Sequence, residues 1–108
     1  MTAILTPLSA RDVAERVAAG KAVLLDIREP AEFAQEHPTG AISTPLSRLD
    51  ATRIEAAAGQ DVIFMCRSGA RTGANCDRLA ARIDGPAFVL DGGLNGWKAA
   101  GLPVAAAR

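Results

Sequence analysis

The chain is poor in cysteine, poorer in histidine, and has no surplus of either charge. Its 108 residues include two cysteines, Cys66 and Cys76, and one histidine, His37. Two thiols and one imidazole, with no C-x2-C spacing, make a poor zinc site, so no metal is expected. Twelve basic and twelve acidic residues cancel. No block of one sign stands out, which argues against a nucleic-acid partner, because that needs a clustered basic surface. No apolar run approaches the ~20 residues of a membrane helix. The N-terminus, MTAILTPLSARDVAE, lacks the basic start, apolar middle and cleavage site of a signal peptide. The expectation is a cytoplasmic chain with no membrane segment. In that reducing compartment the two thiols are not expected to form a disulfide. Repeats, linkers and low-complexity segments are also missing.

What is present is enough for one domain, residues 1–108. Alanine accounts for 23 residues, and the 30 larger apolar side chains fall in short clusters. AVLLDI (22–27) and DVIFMC (61–66) are unbroken apolar runs, the pattern of strands covered on both faces. AILT (3–6), AIST (41–44) and AFVL (87–90) are further strand candidates. Helical segments alternate with them. Ser9 is placed to cap the first, in which Val13 and Val17 share a face and Gly20 supplies the stop. Pro30 opens a short one through Glu36. Others are expected at Asp50–Ala58, over residues 70–83 with Leu79 and Ile83 on one face, and at LNGWKAAG (94–101). Strands separated by helices predict an α/β fold with a parallel sheet and helices on both faces. Ligands of such sheets collect beyond the carboxyl ends of the strands. Cys66 stands at such an end.

The stretch FMCRSGARTGANC (64–76) therefore carries the chemistry. A cysteine is nucleophilic as the thiolate, and its ordinary pKa lies near 8.5. Residues 67–72 (Arg67, Ser68, Gly69, Ala70, Arg71, Thr72) are expected to curl so that backbone N–H groups face the sulfur. Gly69 permits the curl, and the helix from Ala70 adds its positive end. Arg67 and Arg71 bring two guanidinium groups, Ser68 and Thr72 two hydroxyls. After Cys66 no acidic residue follows until Asp77. The loop is built to hold negative charge: a thiolate, a persulfide or an incoming oxyanion.

Three separated motifs resemble the rhodanese family, the sulfurtransferase modules, across nearly the whole chain. They are LLDIREPAEFAQEHPTGAISTPL (24–46), CRSGAR (66–71) and DGGLNGWKAAGLPV (91–104). The resemblance implies a three-layer fold with a five-stranded parallel sheet. It also implies ping-pong transfer of a sulfane sulfur through a persulfide on Cys66, without a cofactor. The donor would be a small anion such as thiosulfate. The acceptor would be a thiol or cyanide, with a thioredoxin-like or persulfide-delivering protein as partner. Arg67 and Arg71 would bind the sulfonate oxygens. Two positions depart from the family pattern, Glu36-His37-Pro38 and Ser43-Thr44-Pro45, and both lie in a structural segment. CRSGART together with the closing motif is also similar to the cytosolic domain of membrane-tethered bacterial rhodaneses, so the chain is either free-standing or a cut domain.

Asp26 and Arg28 form a D-x-R at the end of a buried strand, where an ion pair that orders the next loop is expected, with Glu32 in the same network. His37 suits a hydrogen-bonded structural role beside a turn. Cys76, ten residues past Cys66, is too far along a helix to pair with it and is expected in the core, as is Trp97. Arg78 and Arg82 should be solvated. Two other functions fit parts of the pattern. A phosphatase or arsenate reductase on the same fold needs C-x5-R, and Thr72 stands at that arginine position. A redox-sensing interaction module would use an exposed thiolate at Cys66.

Overall fold

The computed structural model describes residues 5–52, 54, 59–83 and 85–106. Seven strands are described: β1 (Thr6–Leu8), β2 (Ala22–Asp26), β3 (His37–Pro38), β4 (Ile42–Ser43), β5 (Asp61–Met65), β6 (Ala87–Leu90) and β7 (Val104–Ala105). The helices are α1 (Ala10–Ala18), α2 (Pro30–Gln35), α3 (Ala70–Ala74), α4 (Cys76–Ala80) and α5 (Gly93–Ala99), with a 3-10 helix at Leu46–Ala51. Five strands form one parallel sheet in the order β1-β6-β5-β2-β4. β3 and β7 pair antiparallel in a separate ribbon.

The two apolar runs occupy the middle of the sheet because both of their faces are covered. Val62, Phe64 and Cys66 point into one core with Leu25, Ile27, Leu49 and Leu79. Ile63 and Met65 point into the other with Leu24, Val13, Leu94 and Trp97. Period-two alternation along β5 thus feeds both layers, and the fold is the expected three-layer α/β arrangement. Trp97 is buried and its indole N–H donates to the Pro103 carbonyl at 2.8 Å, tying α5 to the segment that enters β7.

The local signals hold where a cap or breaker is present. The Ser9 side chain accepts from the Asp12 amide at 3.2 Å. Gly20 closes α1 with φ 72°. α2 starts at Pro30 and carries a capping box between Glu29 and Glu32.

Several boundaries differ from expectation. The first strand is Thr6–Leu8 rather than 3–6, of which residues 3 and 4 lie outside the described residues. It is placed by pairing with β6. Most of the helical segment expected at 50–58 also lies outside the described residues, and the observed 3-10 helix ends at Ala51. The helix expected over 70–83 is two short helices broken at Asn75 (φ −117°). The Asn75 side chain donates to the Arg71 carbonyl at 2.8 Å, and the Asn75 amide donates to the same oxygen at 3.1 Å. A side chain that satisfies a carbonyl of the preceding turn competes with the helical ladder.

Candidate active site

Cys66 leaves the carboxyl end of β5 and is followed by a loop that turns back on the sulfur. The Gly69 amide donates to Sγ at 3.1 Å. Gly69 has φ 101°, a left-handed conformation that a residue with a Cβ adopts only with strain. The Thr72 hydroxyl stands 3.8 Å from Sγ and donates to the Gly69 carbonyl at 2.9 Å. Burial pushes the Cys66 pKa up. The amides of Thr72 and Gly69, the Thr72 hydroxyl and the Arg71 amide outweigh that, and the pKa lies below its ordinary value. The stabilisation comes from N–H groups a few ångströms from the sulfur. Arg71 and Thr72 lie in the first turn of α3 and Gly69 is its N-cap, so these amides are the positive helix end that the sequence suggested.

The alkylation rate of Cys66 against pH is expected to show a midpoint below the ~8.5 of a free thiol. Burial lowers the absolute rate, but the midpoint reports the pKa. A midpoint at or above ~8.5 would mean that the amides do not outweigh the burial of the sulfur.

The loop is held from the other side by α5. The Leu94 amide donates to the Cys66 carbonyl at 2.8 Å, and the Asn95 amide to the Arg67 carbonyl at 3.0 Å. These bonds draw the first two carbonyls of the loop outward, which leaves the amides of the following residues to turn toward Sγ. A Cβ on Gly93 would lie 2.3 Å from the Cys66 oxygen and 2.7 Å from the Arg67 oxygen. DGG is therefore more than a turn: its last glycine is the contact surface for the cysteine loop. Gly93, Leu94 and Asn95 were not among the expected site residues. The signal was the paired glycine in front of a helix, because a second glycine there implies a close backbone approach.

The two arginines divide. Arg67 is exposed and forms no ion pair among the described residues. Arg71, expected to take sulfonate oxygens beside it, donates from both terminal nitrogens to Glu32 of α2 at 2.8 and 3.0 Å. The Arg71 hydrogen bond, against the opposing effect of burial, brings the Glu32 carboxyl down to about 2. Counting acids along the chain after Cys66 missed a carboxylate that arrives from α2.

Asp26 and Arg28 form the expected ion pair, and both are buried. The Arg28 Nε reaches both carboxylate oxygens at 3.0 and 3.1 Å, and Nη2 reaches Oδ2 at 2.7 Å. Nη2 also donates to the Glu36 carbonyl at 2.7 Å, so the pair fixes the end of α2. Glu32 bonds to Arg71 and is coupled to this pair only by charge, through Arg28. His37 stacks on Phe33 with ring centroids 3.7 Å apart, and its Nδ1 lies 2.7 Å from the Phe33 carbonyl, the structural role expected. Cys76 packs against the first core. Arg78 and Arg82 are exposed; Arg78 lies 3.8 Å from Asp50, and Arg82 donates to the Thr52 carbonyl. Neither cysteine is in a disulfide, and no cluster of metal-ligating side chains exists among the described residues.

Cys66 is 1% exposed, so the exposed thiolate named by the redox-sensing alternative is not seen, and any donor or oxidant has to enter the loop to reach the sulfur. Thr72, at the arginine position of C-x5-R, is buried and bonded within the loop. The loop thus offers a hydroxyl where a phosphatase of that kind needs a guanidinium.

A five-stranded parallel sheet with a cysteine loop at the end of its central strand defines a class, and the comparisons name it. The chain belongs to the rhodanese-like domain family, whose model matches residues 9–100. It is 35% identical over 100 residues to a sulfurtransferase of Allochromatium vinosum, covering 92% of this chain and 94% of the relative. It is 44% identical over 82 residues to protein slr1261 of Synechocystis sp., but spans only 45% of that relative's length. Its fold is similar to thiosulfate sulfurtransferase from Pseudomonas aeruginosa (TM-score 0.78, 23% identity, 99% of this chain and 20% of that one). It is also similar to a rhodanese-related protein from Thermoplasma volcanium (TM-score 0.76, 24% identity, 93% and 97%). Family and relative together support a sulfurtransferase-type function. No helix among the described residues is long and apolar enough to cross a membrane.

Proposed function

We propose that the chain moves a sulfane sulfur from thiosulfate or another persulfide donor to a thiol or cyanide through a persulfide on Cys66. The Cys66 thiolate attacks the outer sulfur of the donor. With thiosulfate, the S–S bond breaks and sulfite leaves with the electron pair. The acceptor anion then attacks the outer sulfur of Cys66–S–S⁻, and the Cys66 thiolate is the leaving group. The observation that carries this reading is the ring of amides on one sulfur, with Gly69 N at 3.1 Å. Such groups stabilise an anion on the sulfur at each stage without reorganising. A thiol-bearing protein of the thioredoxin kind is a suitable acceptor, and a cytoplasmic location suits a reduced thiol.

Incubation with thiosulfate should add one sulfur, about 32 Da, to the intact mass, confined to Cys66 and removed by cyanide. A reduced protein that gains no mass, or gains it elsewhere, would overturn the mechanism.

Glu32 sets how much positive charge the donor meets. In Glu32→Gln the Arg71 guanidinium loses its carboxylate, and the KM for thiosulfate should fall about three- to fivefold, the worth of one half-exposed ion pair. Steady-state kinetics at fixed salt checks this; an unchanged KM would leave Arg67 as the only guanidinium that matters. The pair also has a pH signature. Because the Glu32 pKa is depressed to about 2 from 4.5, its contribution to stability is complete above pH 4.5. It is lost as pH falls from there toward 2.

A further inference from the structure

The loop has a second side. A cavity of about 380 Å³ lies behind it, toward β1 and β6. Gly69 and Thr72, the residues that touch Sγ, form part of its wall, and Cys66 does not. They therefore stand between the sulfur and the cavity. Because Cys66 is buried, these two residues must move off Sγ before a donor reaches it. The cavity gives room for that movement: a Cβ at Gly69 would meet no atom within 4 Å. The wall also carries a thiol. Cys76 lines the cavity, half-buried, and packs in the same cluster as Leu5 and Val89, which form its apolar side. Gly73 and Asp91, on the same wall, are exposed, so the cavity opens to solvent. Asp91 is its one charged residue among those described; no lysine or arginine lines it. The Asp91 carboxylate forms no hydrogen bond or ion pair among the described residues.

A thiol, an apolar side and an unpaired carboxylate in one cavity suit a small sulfur compound with a cationic end. We propose that Cys76 is a modification site for a small disulfide bearing ammonium groups, and that the adduct fills the cavity and holds the cysteine loop closed over Cys66. The Cys76 thiol loses its proton to solvent, and the thiolate attacks one sulfur of the disulfide. The disulfide bond breaks, the distal half leaves as an aminothiolate with the electron pair, and a mixed disulfide remains on Cys76. The methylenes of the bound half cover Leu5 and Val89, and its ammonium pairs with Asp91. Gly69 and Thr72 then have no space to retreat into, and sulfur transfer stops until a thiol reduces the adduct. The regulation rests on the sulfurtransferase reading; the modification site does not.

Site, closure and transfer can be read separately. Cys66→Ser leaves Cys76 as the one thiol. Cystamine should add a single aminothiol half to this variant, located at Cys76 by peptide mapping, and should react faster than the anionic disulfide dithiodiglycolate. Asp91→Asn should cut that preference about threefold. In the adduct, amide hydrogen exchange at Gly69, Arg71 and Thr72 should slow at least about tenfold, the mark of a loop that opens less often. In wild type, the species modified at Cys76 alone, separated by its added charge, should take sulfur from thiosulfate at least about tenfold more slowly. Removal of the adduct with dithiothreitol should restore the rate. An unmodified Cys76, or a preference that Asp91→Asn leaves unchanged, overturns the site. An adduct that alters neither exchange nor rate overturns the closure. A protein that takes the adduct and slows its exchange but never gains a persulfide upholds the site and the closure and overturns the sulfurtransferase reading.

Discussion

Gly93→Ala is expected to cost the protein its cysteine loop. The new methyl carbon would sit 2.3 Å from the Cys66 carbonyl oxygen, where only backbone movement relieves the contact. Gly93 also has φ 55°, which costs an alanine roughly 1–2 kcal/mol. Overpacking against a fixed backbone adds about 1–3 kcal/mol. For a domain of this size that is a fall in Tm of about 10 °C or more. The chemical consequence should be larger than the thermal one. If α5 moves away, the Leu94 and Asn95 amides release the carbonyls of Cys66 and Arg67. The amides of Gly69, Arg71 and Thr72 then lose their aim at Sγ. Transfer of sulfur to cyanide should drop at least about 100-fold, the scale of removing an oriented donor from an anionic centre. In the same sample, the alkylation midpoint of Cys66 should rise toward that of a free thiol. The two readouts separate a loop effect from simple unfolding, because both are measured on the folded fraction below Tm. A Gly93→Ala protein with a wild-type midpoint and wild-type turnover would show that the contact bears no weight.

The same contact shows what a linear reading finds and what it misses. Ala22–Asp26 and Asp61–Met65 are apolar on both faces, and that pattern puts them at the centre of a parallel sheet. Cys66 at the end of one run, followed by residues able to curl, is also a local pattern. So is Ser9 before α1. Each of these arguments uses neighbours in the chain. The features it missed join residues far apart. Arg71 is committed to Glu32 across 39 positions, and no periodicity announces that. β3 and β7 are two residues each, too short to carry an alternation, and each exists because the other does. The break at Asn75 was written in the chain, since asparagine competes with the backbone for its own hydrogen bonds. Regular spacing of Leu79 and Ile83 hid it. Cys66 sits nearly sealed from solvent because Val62, Phe64 and Cys66 share a face that packs on Leu79. Alternation along the strand extends to the cysteine and puts it on that face.

Asp26→Ala should be the most destabilising polar substitution in the described structure. The Arg28 guanidinium is buried, and among the described residues its one ion pair is with the Asp26 carboxylate. Deleting that carboxylate leaves a cation uncompensated, at a cost of about 3–5 kcal/mol. A small domain has about 5–15 kcal/mol in all, so about a fifth or more of its stability is at stake. The loss should not be chemical in origin. Asp26 stabilises the strand end and, through Arg28 and the Glu36 carbonyl, the end of α2, and neither group touches Sγ. Cyanide turnover per folded molecule should therefore stay within about threefold of wild type, while the urea midpoint falls in proportion to the stability lost, by about a fifth or more of its value. The double substitution Asp26→Leu with Arg28→Met separates charge from packing. Removing both charges removes the desolvation cost of each, and apolar replacement of a buried pair is often neutral or stabilising. The double variant should recover most of what Asp26→Ala loses, short of the Arg28 bond to the Glu36 carbonyl. If instead it is less stable than Asp26→Ala, the pair contributes more than mutual neutralisation, and the hydrogen bonds at the strand end hold the fold. If Asp26→Ala unfolds within 1 kcal/mol of wild type, water reaches Arg28 and the burial has been misjudged.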